Sequence, residues 1–151
     1  MRYWLMKSEP YEFSVDDFAD SPNQTIAWEG VRNYQSRNFM RNQMSIGDQV
    51  FFYHSCCKDP GIVAIAAVSK AAYPDATQFN RQSKYFDPKA TPDNPRWHNV
   101  ELTLTRRIRL IPIKELRRHP ELEKMRVLQT GNRLSITPVD PSEWQFIMSI
   151  L

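Results

Sequence analysis

His54, Cys56 and Cys57 are the densest group of nucleophilic and metal-ligating side chains in the chain. A zinc ion takes four ligands, or three and a water. Two adjacent cysteines do not easily face one ion, and no C-x-x-C partner occurs. The deaminase pattern of H-x-E with P-C-x-x-C is also missing. A Cys–His nucleophile pair normally assembles from distant parts of a sequence. The three residues are therefore expected to be turn and structural groups. No metal, no cofactor and no catalytic set is assigned. Glu9 and His54 are the side chains that acid–base chemistry would use if the protein were an enzyme.

Four tryptophans offer a different chemistry, the stacking of a flat ligand. Trp144 falls on a helical apolar stripe and Trp4 in a first strand, so both are expected in the core. Trp28 and Trp97 lie at junctions between loops and regular elements, beside polar residues. Base–aromatic stacking contributes ~1–3 kcal/mol per base. The residues alone favour core for this pair too, because Trp is so often buried. The chain also carries groups able to read a base edge: Ser8, Glu9, Asn33, Asn38, His54 and Ser55. Capping and turn chemistry is the competing explanation for Ser8 and Ser55. Arg37 is a candidate phosphate contact, flanked by Arg32 and Arg41. A second basic stretch, Thr105 to Arg126, holds eight Lys or Arg against three Glu, a net +5. It is read either as a phosphate-contacting surface or as a solvated basic face.

These residues need elements to hold them. Arg2–Lys7 reads as a first strand, stopped by Pro10. Ser14, followed by Asp16 and Asp17, starts a short helix over Val15–Ala19. Glu29–Met44 reads as the main middle helix. Val31, Tyr34 and Phe39 would form its apolar face, and Asn33, Arg37 and Arg41 one polar stripe. Gln49–His54 and Gly61–Val68 read as an antiparallel hairpin. Tyr73–Arg96 is a long, polar, proline-rich loop, a type often functional. Trp97–Thr105 alternates as a strand, and Ile108–Ile111 continues it past a bend. Ile113–Arg118 reads as a short helix and Arg133–Ile136 as a short strand. Asp140-Pro-Ser-Glu143 opens a last helix. Strands mixed with short helices, without regular β-α-β alternation, give an α+β fold with a small curved sheet or barrel.

Composition narrows the classes. The chain has 151 residues, 41% hydrophobic and 25% charged, with a net charge of +3, which suits one folded domain over residues 1–151. No apolar run reaches the ~18 residues of a membrane span, and no secretory leader is read at the start. Two adjacent cysteines make no disulfide framework, so a cytoplasmic setting is expected. Only four glycines occur, with no G-x-G-x-x-G and no G-x-x-x-x-G-K-[ST], which argues against phosphate-loop enzymes.

Four segments, Tyr3-Trp-Leu-Met-Lys-Ser-Glu-Pro10, Trp28-Glu-Gly-Val-Arg-Asn-Tyr-Gln-Ser-Arg-Asn38, Phe52-Tyr-His-Ser55 and Pro95-Arg-Trp97, together resemble the EVE domain of the PUA-like superfamily. Tyr73-Pro-Asp75 and Arg133-Leu-Ser135 support the match. The family more often carries Ala at the position of Ser36 and Tyr at that of Phe86. The resemblance implies a PUA-like pseudo-barrel of about five or six mostly antiparallel strands with flanking short helices. It also implies a non-enzymatic module that recognises modified bases in nucleic acid, notably modified cytosine in DNA. The related YTH domains hold a methylated base in an aromatic cage. On this basis Trp28 and Trp97 turn from core toward ligand. Ser8, Glu9, Asn33, Tyr34, Asn38, Tyr53, His54 and Ser55 become edge and wall contacts, and Arg37 a phosphate contact.

Three readings stay open: a reader of modified bases in DNA or RNA, an enzyme on a modified nucleotide, and an interaction domain that keeps only the fold. A reader without its own effector would act through a separate effector protein. The sequence leaves the oligomeric state unassigned.

Overall fold

The computed structural model describes all residues, 1–151. Six strands form one mixed sheet: β1 (Tyr3–Ser8), β2 (Thr25–Ala27), β3 (Gln49–His54), β4 (Gly61–Pro74), β5 (His98–Pro112) and β6 (Ile136–Val139). Their order is β2-β5-β4-β3-β1-β6. Only β1 and β3 pair in parallel, with Tyr3 opposite Gln49 and Ser8 opposite His54. The other four pairings are antiparallel. The sheet does not close, since β2 and β6 are its two edges. Four short helices accompany it: α1 (Val15–Asp20), α2 (Tyr34–Asn38), α3 (Ile113–Leu116) and α4 (Pro141–Ser149). The architecture is α+β and fits the PUA-like class. No helix is long and apolar enough to cross a membrane.

Alternation along the strands builds two cores, one on each face of the sheet. Trp4, Met6, Val50 and Phe52 face one side and meet Val15, Phe18, Trp28, Val31 and Met40. Leu5, Phe51, Tyr53 and Ile65 face the other and meet Leu116, Leu122, Trp144 and Ile147. Each large apolar side chain buried in this way contributes about 1.5–3 kcal/mol.

Local signals explain most element starts. Ser14 Oγ accepts from Asp17 N while Asp17 accepts from Ser14 N, a capping box for α1. Asp140 and Glu143 repeat it for α4, with Pro141 in the first turn.

Several expected elements differ. The middle helix begins at Tyr34, not Glu29. Gly30 sits at φ +87° and Asn33 is extended, so the chain before Tyr34 is a loop. Asn33 therefore lies off any helical stripe: as N-cap its Oδ1 accepts from Ser36 N at 2.9 Å. Tyr34 does not face the core but is 46% exposed. After Asn38 the helix widens into a π turn over Phe39–Gln43. The strand expected over Gly61–Val68 runs on to Pro74, and its partner runs from His98 through the expected bend to Pro112. Register shifts between the two absorb the curvature that the bend suggested. The last short strand lies at Ile136–Val139 rather than Arg133–Ile136. Strand β2 was not expected; three residues carry too little alternation to be seen.

Candidate functional site

Where β1 ends, its backbone and side chains open into a cleft of about 1000 Å³. Five stretches of chain line it: Lys7–Glu9 with Glu12 and Phe13, Ser21 with Pro22, Thr25–Arg32, Lys84–Tyr85, and Arg133 with Ser135. Ser55 and Cys56 close it beside β1. The volume matches the upper range of small-ligand clefts.

Trp28 is the wall between this cleft and the core. Its N–H donates to Val100 O at 2.9 Å, which continues the β2–β5 pairing by one residue. Its ring meets Phe52 edge-on at 5.8 Å and 87°. Only 8% of the residue is exposed, so the cleft sees a small part of the ring. The indole N–H of Trp4 donates to Asp48 and that of Trp97 to Asp87. Trp28 Nε1 makes no hydrogen bond within the protein and is free to donate to a ligand.

The opposite wall is held by Asp75, which is fully buried. Its carboxylate accepts from Gly30 N at 2.8 Å, Arg32 Nη1 at 3.1 Å and Thr77 N at 2.8 Å. Burial alone would raise its pKa. The hydrogen bonds from Thr77, Gly30 and Arg32 outweigh that and hold the carboxyl below its ordinary value. Arg32 also donates to Tyr85 O at 2.8 Å, fixing the Tyr85 ring above Gly30. A Cβ at Gly30 would lie 2.5 Å from that ring, so only glycine fits here.

Charge in the cleft is mixed. Lys7, Arg32, Lys84 and Arg133 face Glu9, Glu12 and Glu29. Lys84 Nζ and Glu12 pair at 2.7 Å, joining the turn after β1 to the 81–90 loop. Burial lowers the Lys7 pKa, against the influence of Cys56. Burial raises that of Glu29, with the charge of Asp75 adding to it and Arg32 opposing. An apolar strip of Phe13, Ile26, Ala27 and Val31 lies among these polar groups. The cleft thus offers donors, carboxylate acceptors and a patch that suits a methyl group.

Of the eleven residues expected at a site, Ser8, Glu9, Trp28 and Ser55 line this cleft. Ser8 Oγ donates to Phe13 O at 2.7 Å, and Tyr11 Oη donates to Glu9. Tyr53 points into the opposite core and is 3% exposed. His54 packs on Phe52, and its Nε2 accepts from Val15 N at 3.1 Å. Burial lowers the His54 pKa from the ordinary histidine value, with the charge of Asp16 opposing, which favours the neutral ring that accepts this bond. The remaining five gather in a second cluster: Asn33, Tyr34, Arg37 and Asn38 at α2, with Trp97, just before β5, stacked on Tyr34. Arg32 connects the two, lying 5.3 Å from the Trp97 ring while lining the cleft.

Gly30, Glu29, Tyr85, Lys84 and Arg133 were not singled out for the cleft by sequence reading. Two signals pointed toward them. Gly30 is one of four glycines and sits in the longest family-like segment, and Lys84–Tyr85 come from the long polar loop. That loop is not structureless: Gln78 Nε2 donates to Asp75 O and Trp97 O, and its Oε1 accepts from Arg96 N and Trp97 N. The basic stretch 105–126 lines no part of the cleft. Its Arg107 pairs with Asp16 and its Arg109 with Glu115.

Comparison with known proteins gives one consistent picture. The family model for the EVE domain matches residues 2–150. Human thymocyte nuclear protein 1 is 42% identical over 98% of this chain and 73% of its own length. A crystal structure of the human THYN1 protein in complex with 5-methylcytosine-containing DNA superposes with a TM-score of 0.93 at 42% identity. It covers 99% of this chain and 97% of that one. A Pseudomonas syringae protein gives a TM-score of 0.91 at 41% identity, over 98% of both chains. A Leishmania major protein gives 0.92 at 44% identity, over 99% of this chain and 94% of that one.

Proposed function

The chain belongs to the EVE domain family, and from that premise we propose that it is a non-enzymatic module binding DNA that carries a modified cytosine. The observation that carries the reading is the human relative's complex with 5-methylcytosine DNA, at 42% identity over nearly the whole chain. The cleft beside Trp28 supports it chemically. A base turned out of its strand gives up stacking worth a few kcal/mol, which the cleft must replace. The cytosine N4 amine needs an acceptor, and carboxylates such as Glu9 and Glu29 are the usual partners. Its ring acceptors need donors, which Trp28 Nε1 and Arg133 can supply. A 5-methyl group needs apolar contact, available at Ala27 and Val31.

Binding to matched oligonucleotides tests this. Unmodified, 5-methylcytosine, 5-hydroxymethylcytosine and N6-methyladenine versions are compared as single and double strands. Trp28→Ala would remove a core ring at a cost of about 3–5 kcal/mol, so Trp28→Phe with thermal unfolding as control is the better probe. Preference for a modified cytosine, weakened in folded Trp28→Phe, is expected. Equal affinity for all versions would contradict the reading.

A further inference from the structure

Outside the cleft, Tyr34 presents a nearly half-exposed ring on α2. Its inner face stacks on buried Trp97 at 4.8 Å and 21°. Trp97 cannot yield, because its Nε1 donates to Asp87 at 2.8 Å and its backbone N–H to Gln78. The Arg37 guanidinium lies 4.7 Å from the Tyr34 ring and that of Arg96 5.8 Å. Arg96 also donates to Tyr34 Oη. The ring is therefore a rigid platform with a cationic rim.

That rim lacks counter-charge. Asp87 is the one carboxylate in the group, and it pairs with Arg96 at 3.5 Å. Arg37 donates only to neutral oxygens, those of Arg96 O and Asn38 Oδ1. Arg41 does the same with Asn38 and Asn42. Neither has a carboxylate within salt-bridge distance. Burial and the charges of Arg41 and Arg96 push the Arg37 guanidinium below its ordinary value. Buried His98 Nδ1 has no partner, and burial together with the charges of Arg41 and Arg37 lowers the pKa of that histidine. Like charges crowded on neutral acceptors are relieved by an incoming anion.

We propose that Tyr34, Arg37, Arg41 and Arg96 form a second nucleic-acid contact, separate from the cleft. The exposed Tyr34 ring takes a base neighbouring the recognised one, and Arg37 with Arg41 takes the adjoining phosphodiester. This deepens the base-binding reading and rests on it for the choice of nucleic acid. Trp97 and Arg32 hold the platform beside the cleft, so one strand can engage both.

The test uses full-length protein and oligonucleotides with and without one 5-methylcytosine, titrated at several salt concentrations. Variants are Tyr34→Ala, Tyr34→Phe and Arg41→Gln, with Arg41 chosen because it is exposed and holds no core contact. Tyr34→Ala and Arg41→Gln should each weaken binding of both oligonucleotides, by about tenfold for Tyr34→Ala. Arg41→Gln should reduce the log–log salt slope by about 1. Tyr34→Phe should bind nearly as wild type. The methylated-to-unmethylated ratio should not move. Unchanged affinity and salt slope in Tyr34→Ala and Arg41→Gln overturn the platform while leaving the cleft reading intact. Loss of the ratio in these variants also overturns it, since the cluster would then belong to base selection. If wild type shows no methyl preference, the cleft reading fails, and the platform is judged on affinity and salt slope alone.

Discussion

Gly30 N–H donates to the buried Asp75 carboxylate at 2.8 Å, linking residues 45 positions apart. The contact ties the loop after β2 to the end of β4 and so sets one wall of the cleft. Arg32 completes it through the same Oδ2 at 3.1 Å.

Asp75→Ala should destabilise the fold by about 3–5 kcal/mol, because it leaves the Gly30 and Thr77 N–H groups without their acceptor and takes from Arg32 its one ion-pair partner. Asp75→Asn keeps the shape but loses the charge and should cost less. Denaturant unfolding measures both, and equal stability of Asp75→Ala and wild type would remove this wall from the account.

Gly30→Ala should fail for a steric reason. At φ +87° an alanine costs about 1–2 kcal/mol, and its Cβ would meet the Tyr85 ring. Ligand binding should fall as Tyr85 is pushed aside. Adding Tyr85→Ala should recover stability beyond additivity, since the second change removes the clash. A strictly additive double mutant would mean that the ring yields freely.

Ser36→Ala should stabilise the protein. Ser36 is fully buried, and its Oγ has no hydrogen-bond partner. Leaving such a group unsatisfied costs about 1–3 kcal/mol, and alanine is the better helix former. A gain near 1 kcal/mol would raise Tm by roughly 2–4 °C at this size. A fall in Tm would show that the hydroxyl is satisfied in solution.

Acid should weaken the fold early, before carboxylates titrate. Burial lowers the pKa of His54 and of His98 from the ordinary 6.5. The unfolded chain then takes up protons before the native one does. Their stabilising contribution is complete above about pH 6.5 and is lost as pH falls through the native values. His54→Gln retains an oxygen for the Val15 N–H and should flatten the decline between pH 7 and 5. An identical slope in the variant would assign the decline to other groups.

The strands were readable from an unbroken apolar run at Gln49–His54, which packs a core on each face, and from alternation at Trp97–Thr105, whose Val100, Leu102 and Leu104 share one core. The α2 start was misread because a single glycine, Gly30, is tolerated inside a helix at about 1 kcal/mol, while Asp75, distant in sequence, holds Gly30 and Arg32 in a loop. The same tertiary contact explains the site. Ser8, Glu9 and Ser55 sit at the ends of strands that the pattern located, whereas Trp28 follows β2, which it did not. Tyr53 faces away because strand parity turns it to the second core. Lys84 and Tyr85 reach the cleft by a loop path that no local signal records.

The indole N–H resonances offer the most direct test of the base-binding cleft. Trp28 Nε1–H has no partner in the protein, whereas that of Trp4 is tied to Asp48 in the core. Titration with an oligonucleotide carrying one 5-methylcytosine should shift the Trp28 indole signal and leave that of Trp4 in place. The unmethylated oligonucleotide should shift it far less at equal concentration. A Trp28 signal that stays fixed while the methylated strand binds to saturation would contradict recognition in this cleft.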